Sequence, residues 1–287
     1  MKLLVTGASG YIGQRLAQMA QVRGHQVTVL GRAPLPGFDF VPWALGEAVP
    51  QAALSGAGAL VHLAHDWSLD TKGGDANGAA TEALARQALE AGIPRFVFAS
   101  STSARADAAN AYGHSKLSSE ARLAALPGAK GRIVSARIAL VYGGPPSGQY
   151  GQMRRIAALS PVLPMVGLSR QVQPIHVDEV CAALLALAQN PRLARPAYVV
   201  AGETMTFGAW LKLLRRAQGK GPLLLVPVPV WPMLLACDLT DLLPGIPTVS
   251  RERVLGLTRA SAMPRGDDMT ALGIVPGDPL TLLRQSP

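Results

Sequence analysis

The sequence predicts an α/β fold, a doubly wound parallel sheet followed by a smaller C-terminal lobe. Three observations carry this expectation. Short, almost wholly apolar runs alternate with helical patterns over residues 1–140; the first run passes directly into a glycine-rich turn; and the pattern breaks at the GGPPSG stretch, residues 143–148. The chain has 287 residues, 49% hydrophobic and 16% charged, enough for one large domain or one domain with a partner lobe.

The apolar runs are Leu3–Thr6, Gln26–Leu30, Ala59–Ala64, Phe96–Ser100 and Arg132–Leu140. Strands covered on both faces need such near-continuous apolarity. Ile12, Leu16, Met19 and Ala20 mark one face of a first helix, and Ala80, Leu84, Ala88 and Ala91 mark a later one that ends before Gly92 and Pro94. Alternation of this kind implies right-handed crossovers that place helices on both sheet faces.

The first strand runs into Gly7-Ala8-Ser9-Gly10-Tyr11-Ile12-Gly13 and then into the first helix. Glycines at a strand-to-helix turn let the backbone approach a pyrophosphate, whose charge meets free N–H groups at the helix start. The fold is therefore expected to be of Rossmann type. Gly7, Ser9, Gly10, Tyr11, Ile12 and Gly13 are its candidate cofactor contacts. The second strand ends at Gly31-Arg32, where an NAD-binder usually carries an acid for the ribose 2′-hydroxyl. Arg32 offers instead a guanidinium suited to a 2′-phosphate, so NADP is expected over NAD. Asp39 is the nearest acid, seven residues further on.

Tyr112 and Lys116 stand four apart in a segment whose continuation to Leu126 keeps helical spacing, so both reach one point. A tyrosine of ordinary pKa near ~10 needs roughly 4 kcal/mol of phenolate stabilisation to act at neutral pH. Lys116, with an oxidised nicotinamide, supplies such a field, and its ammonium can also bond the cofactor ribose. Ser100-Ser101-Thr102-Ser103 follow a parallel strand at its carboxyl edge, where ligands of open α/β sheets bind. One of these hydroxyls is expected to hold a substrate oxygen. His62, His65, Asp66 and Trp67 are expected to line the same edge, with no metal-ligand spacing among them.

TGASGYIG, the VHLA of Val61–Ala64, Asn77 to Thr81, FVFASS at Phe96–Ser101, YGHSK with Glu120, RIALVYG and PIHVDEV together resemble the extended short-chain dehydrogenase/reductases, the NAD(P)-dependent epimerase/dehydratases. The likeness spans about 190 residues in the right order. It implies that Tyr112 is the general acid/base, Lys116 its pKa-lowering and ribose-binding partner, and Ser101 the hydroxyl on the substrate oxygen, with Ser103 the fallback. It also implies Leu63 and Ala64 as cofactor contacts, and for Asn77 either a positioning role near the cofactor or a helix cap. Where relatives often carry an aromatic-glycine pair after the serines, this chain has Ala104-Arg105-Ala106.

On this reading residues 1–143 form the NAD(P)-binding domain, joined by a later strand and helix at about 172–200, and residues 144–287 form mainly the substrate lobe. Asp178 is expected to cap or complement the helix after His176, and His176 to pack. Leu223–Ala236 is shorter than the ~20 residues of a membrane span and is broken by Pro227, Pro229 and Pro232. That leaves packing within the lobe, or a surface for peripheral membrane or partner contact.

Lys and Arg number 27 against 18 Asp and Glu, a net charge of +9 with pI ≈ 10.1. The excess is shared evenly by the two halves of the sequence, so phosphorylated ligands account for it and nucleic acid is not expected. Cys181 and Cys237 lie too far apart for a Cys-x-x-Cys site, and the N-terminus reads as a strand and not a signal peptide. A cytoplasmic enzyme is expected, and a homodimer is compatible with the sequence. The leading function is an NADP-dependent oxidoreductase or epimerase acting on a secondary alcohol or ketone, with a nucleotide-activated sugar foremost. The alternatives are a reductase of a less polar ketone and a non-catalytic subunit, since the basic balance and QPIHVDEV also resemble the NADPH-binding accessory subunit of respiratory complex I.

Overall fold

In the computed structural model, residues 1–70, 75–108, 110–231, 234 and 262–285 are described. In chain order the elements are β1 (Lys2–Thr6), α1 (Tyr11–Val22), β2 (Gln26–Gly31), β3 (Asp39–Pro42), α2 (Gln51–Leu54), β4 (Ala57–His62), α3 (Trp67–Asp70), α4 (Ala76–Glu90), β5 (Phe96–Ser101), α5 (Ala111–Ala125) and β6 (Ile133–Ile138). There follow β7 (Val141–Tyr142), α6 (Gly148–Leu159), β8 (Val162–Met165), β9 (Gln171–Val172), β10 (Ile175–His176), α7 (Val177–Gln189), β11 (Ala197–Val200), β12 (Met205–Thr206), α8 (Phe207–Ala217) and β13 (Leu224–Pro227). Two short helices, α9 (Asp268–Ala271) and α10 (Pro279–Gln285), come last.

The contacts divide the chain into two units. The first comprises Met1–Ala139, Val177–Val200 and Pro264–Val275. Its sheet has seven strands in the order β11-β6-β5-β4-β1-β2-β3, every pair parallel. All six residues of β5 and four of the five in β1 are buried. Their alternating side chains feed two cores: Leu4, Leu60, Phe96 and Phe98 join Leu84 and Ala88 of α4 and Leu123 of α5, while α1 and α7 pack against each other. The buried stripe of α1 is Gly13, Leu16, Ala17 and Ala20, so the expected Ile12 and Met19 lie at its margins.

Polar ties hold the periphery. Buried Arg95 donates to the Leu187 carbonyl in the last turn of α7, to the Asn190 and Leu193 carbonyls in the segment that follows it, and to Gly131, satisfying carbonyls in and beyond the helix terminus. Asp178, in the first turn of α7, pairs through both oxygens with Arg15 of α1. Asp268 accepts the Val199 N–H at 2.6 Å and pairs with Arg195, covering the β11 edge. Cys181 is buried, and burial pushes its thiol up to about 12. Cys237 lies outside the described residues.

The second unit comprises Leu140–His176, Ala201–Met263 and Pro276–Pro287. Its described core gathers Tyr142, Tyr150, Met153, Phe207, Trp210 and Leu214, from β7, α6 and α8. Three two-stranded ribbons flank it, β7 with β10, β9 with β12 and β8 with β13. His176 is buried and packs edge-on against Tyr142 at 5.3 Å. It also requires Gly143, which has φ +101 and whose Cβ would fall 2.2 Å from the imidazole. Of the Leu223–Ala236 stretch, Leu223 is buried, whereas Leu224 and Val226 of β13 and Trp231 are exposed. Pro232, Met233, Leu235 and Ala236 lie outside the described residues.

Candidate active site

The turn between β1 and α1 is built by close backbone approach. Gly7 has φ +68, and a Cβ there would meet Ala64 N at 2.7 Å. A Cβ on Gly13 would sit 2.2 Å from the Gly7 carbonyl oxygen, which already accepts the Gly10 N–H at 3.0 Å. Both positions exclude any side chain. Gly10 is the N-cap of α1 and offers no side-chain cap, so the helix presents its N-terminal dipole on the turn that Ser9 and Gly10 leave exposed.

The loop leaving β4 is tied to that turn through a core histidine. Thr6 Oγ1 accepts the Leu63 and Ala64 N–H groups at 3.1 and 3.2 Å, and with its lone pairs engaged it donates to His62 Nδ1 at 2.7 Å. Nε2 therefore carries the ring proton and donates to Thr81 Oγ1 at 3.1 Å. His62 is fully buried, and desolvation, then the fields of Lys116 and His65, lower its pKa to about 3. This corrects the sequence expectation: His62 does not line the crevice but is a neutral core group that fixes the loop behind it. Strand β4 ends at His62, so Leu63 and Ala64 fall in the loop and not in the strand.

Asn77 pairs with this loop by both ends of its amide, accepting the Asp66 N–H at 3.0 Å and donating to the Asp66 carbonyl at 2.9 Å. It is not the cap of α4; that position is Asp75, which binds Ser118 and Arg122 of α5. Asp66 itself is held below the usual carboxylate range, chiefly by the Ser68 hydroxyl and amide, with Arg32 adding a weaker positive field. Exposed Arg32, just beyond β2, thus lies within electrostatic reach of the β4 loop. Asp39 begins β3 and accepts a hydrogen bond from Gln26 at 3.1 Å.

Helix α5 starts at the carboxyl end of β5. Asn110 caps it by accepting the Gly113 N–H at 2.9 Å, and Gly113 must lack a Cβ because Ser103 O would lie 2.4 Å from one. Tyr112 and Lys116 project from its first two turns. Lys116 is buried, and its Nζ donates to the Ala99 carbonyl of β5 at 2.8 Å while lying 4.6 Å from the Phe98 ring centre and 5.7 Å from that of Tyr112. The Tyr112 ring stacks on Trp67 at 4.8 Å and meets His65 edge-on at 5.1 Å. Ser101, the last residue of β5, accepts the Ser103 N–H at 3.1 Å. One residue earlier, Ser100 donates to Glu120, which also takes a bidentate pair from Arg137 of β6.

Lys116 and Tyr112 therefore stand together over the carboxyl end of β5, the strand that Ser101 ends, with His65 and Trp67 against the phenol. Sequence spacing had no way to place Trp67 on Tyr112, since the two rings belong to separate crossovers. Glu120 was visible only as one residue in a family pattern, and the Thr6–His62–Thr81 chain carried no sequence signal.

A parallel seven-strand sheet whose first strand opens into a glycine turn at a helix N-terminus defines a dinucleotide-binding protein of Rossmann type. The chain belongs to the NAD dependent epimerase/dehydratase family, whose model matches residues 3–201. It is 32% identical over 201 residues to the ceramide reductase of Caulobacter vibrioides, a match covering 66% of this chain and 61% of that protein. Among solved structures it resembles MoeE5 in complex with UDP-glucuronic acid and NAD, with TM-score 0.75 and 21% identity over 100% of this chain and 97% of the other. It also resembles the human epimerase family protein SDR39U1 with NADPH, with TM-score 0.71 and 19% identity over 100% and 99%. These two likenesses establish the fold. The turn fits the dinucleotide the family takes: Gly7 and Gly13 leave a cradle that a single Cβ would fill, and α1 points its N-terminus at it.

Proposed function

We propose that the protein is an NADPH-dependent reductase of a ketone on a largely apolar, lipid-like substrate. The carrying observation is at the end of β5, where Lys116, anchored on the Ala99 carbonyl, lies 5.7 Å from the centre of the Tyr112 ring, and Ser101 ends the same strand. The dinucleotide, held by Gly7, Ser9, Gly10, Tyr11, Ile12 and Gly13 with Leu63 and Ala64 behind it, supplies the hydride when bound. Tyr112 donates its phenolic proton to the oxygen that becomes the alcohol and is reprotonated from solvent. Ser101, already oriented by the Ser103 N–H, directs its hydroxyl proton at the same oxygen. Lys116 places a cation near the phenol, lowering the cost of the transient phenolate, and its ammonium is of the kind that bonds a ribose hydroxyl.

Arg32, an exposed cation just beyond β2, supports NADPH over NADH, because a guanidinium suits a 2′-phosphate and no acid for the ribose 2′-hydroxyl ends that strand. The 32% identical ceramide reductase supports the apolar ketone over a nucleotide sugar. The nucleotide-sugar reading is the second one, supported by the titles of structures that share the fold, such as MoeE5 with UDP-glucuronic acid. The test follows NADPH oxidation with a long-chain keto-amide and, separately, with UDP-sugars, with products identified by mass spectrometry. Turnover of the keto-amide is expected, and Tyr112→Phe should lower kcat at least ~100-fold with NADPH affinity within about twofold. Full activity of that variant, or turnover of the UDP-sugars alone, overturns the reading.

A further inference from the structure

The second unit carries an exposed apolar face that no part of the catalytic reading uses. In the β8–β13 ribbon, Leu224 pairs with Val162 and Val226 with Pro164, so all four side chains project from one side of a parallel pair. All four are exposed: Val162 is 46% and Leu224 61% accessible, and Leu159 at the end of α6 is 76% accessible. An outward strand face normally carries polar residues, and a wholly apolar one marks a contact surface.

Cations adjoin this face. Lys212 and Arg216 lie one turn apart on the exposed side of α8, and with Lys220, Gly221, Pro222 and Leu223 they line an open depression of about 500 Å³. Lys220 Nζ donates to the Ala158 carbonyl, next to Leu159, and Leu224 N donates to Pro161 O, so the cationic row runs directly into the apolar ribbon. Over the described residues of this unit, Arg154, Arg155, Arg170, Lys212, Arg216, Lys220 and Arg284 reach solvent against two acids, Glu203 and Asp278, the latter within the field of Arg216. The positive excess that the two halves of the sequence share evenly is thus concentrated in this unit.

We infer that this face docks on an anionic lipid bilayer, the apolar ribbon entering the headgroup region while Lys212, Arg216 and Lys220 meet lipid phosphates. Exposed Trp231, following β13, has the amphipathic ring favoured at that depth. Apolar area and positive charge on one face match such a surface in both properties, whereas a second copy of the chain would bring like charge against like.

The experiment is flotation of the purified full-length protein with phosphatidylglycerol/phosphatidylcholine vesicles and with phosphatidylcholine vesicles alone. Binding to the anionic vesicles is expected, weakened by raising salt to about 0.5 M. Each cation near an anionic surface is worth about fivefold, so K212E/R216E/K220E should lose at least ~100-fold. Leu224→Asp with Val226→Asp should lose at least ~10-fold. Circular dichroism checks that both variants fold, and the wild-type salt titration tests the charge contribution without any variant. No flotation with anionic vesicles, salt-independent binding, or unchanged binding by folded variants overturns the inference. So does a dimer that Leu224→Asp splits without vesicle binding. The inference stands apart from the catalytic reading: reduction of a short soluble ketone should be the same in wild type and both surface variants.

Discussion

Replacing His62 tests the link between the core and the cofactor turn. The imidazole is fully buried and neutral, with a folded-state pKa of about 3 against an ordinary value of 6.5. Below pH 6.5 the unfolded chain therefore takes up a proton that the folded chain refuses. Stability is complete above that pH and is lost as pH falls towards 3, with a limiting slope of about 1.4 kcal/mol per unit. Between pH 7 and pH 5 this one residue should remove about 2 kcal/mol. Urea unfolding at pH 5, 6 and 7 measures it, with His62→Gln as the reference. The variant keeps an amide able to serve Thr6 and Thr81 but cannot titrate. It should be less stable than wild type at pH 7 by about 1–3 kcal/mol, from imperfect hydrogen bonds, yet lose about 2 kcal/mol less than wild type between pH 7 and pH 5. His25, whose pKa is also lowered, chiefly by burial, contributes to both proteins and cancels in the difference. Identical slopes in the two proteins would show that His62 is solvated or charged in the folded state, and the assigned tautomer chain would be wrong.

Three further outcomes follow from the geometry. Gly13→Ala should abolish NADPH binding, read by cofactor fluorescence, or prevent folding, because its Cβ meets the Gly7 carbonyl oxygen at 2.2 Å; Gly24→Ala, with nothing within 4 Å, should bind normally at a cost of about 1 kcal/mol in stability. Glu120→Gln should lower stability by about 2 kcal/mol in thermal unfolding, since it removes the charge that pairs with Arg137 and accepts from Ser100. Arg32→Asp should raise the KM for NADPH at least ~10-fold while lowering that for NADH, and unchanged selectivity would remove Arg32 from the cofactor site.

What could be read from the sequence, and what could not, divides by the range of the interaction. Strands β1, β2 and β5 were legible because both their faces are covered, which leaves a continuous apolar signature in five or six residues. Strand β3, DFVP, was missed because it is a four-residue edge strand, half exposed and ending in proline, so neither alternation nor apolar run marks it. The Tyr112–Lys116 spacing was legible because one helical turn is a local rule. The Trp67 ring that stacks on Tyr112, and the threonines that hold His62, come from elements 19 to 56 residues distant, where no periodicity connects them.

His62 shows how a correct pattern produced a wrong placement. Its neighbours in sequence, His65, Asp66 and Trp67, lie at the carboxyl edge of the strand, and grouping the histidine with them sets it among the residues of the crevice. Strand periodicity argues the reverse: Leu60 and His62 point to the same side, and Leu60 sits in the core beneath α4. A polar group on a buried face must find partners, and here Thr6 and Thr81 supply them from β1 and α4. The charge distribution misled for a related reason. Dividing the chain at its middle assigns Pro264–Val275, with Asp267 and Asp268 against Arg265, to the second half, yet that acidic segment belongs to the first unit. Only when charge is counted by folded unit do the cations of α6 and α8 stand out beside the bare apolar ribbon.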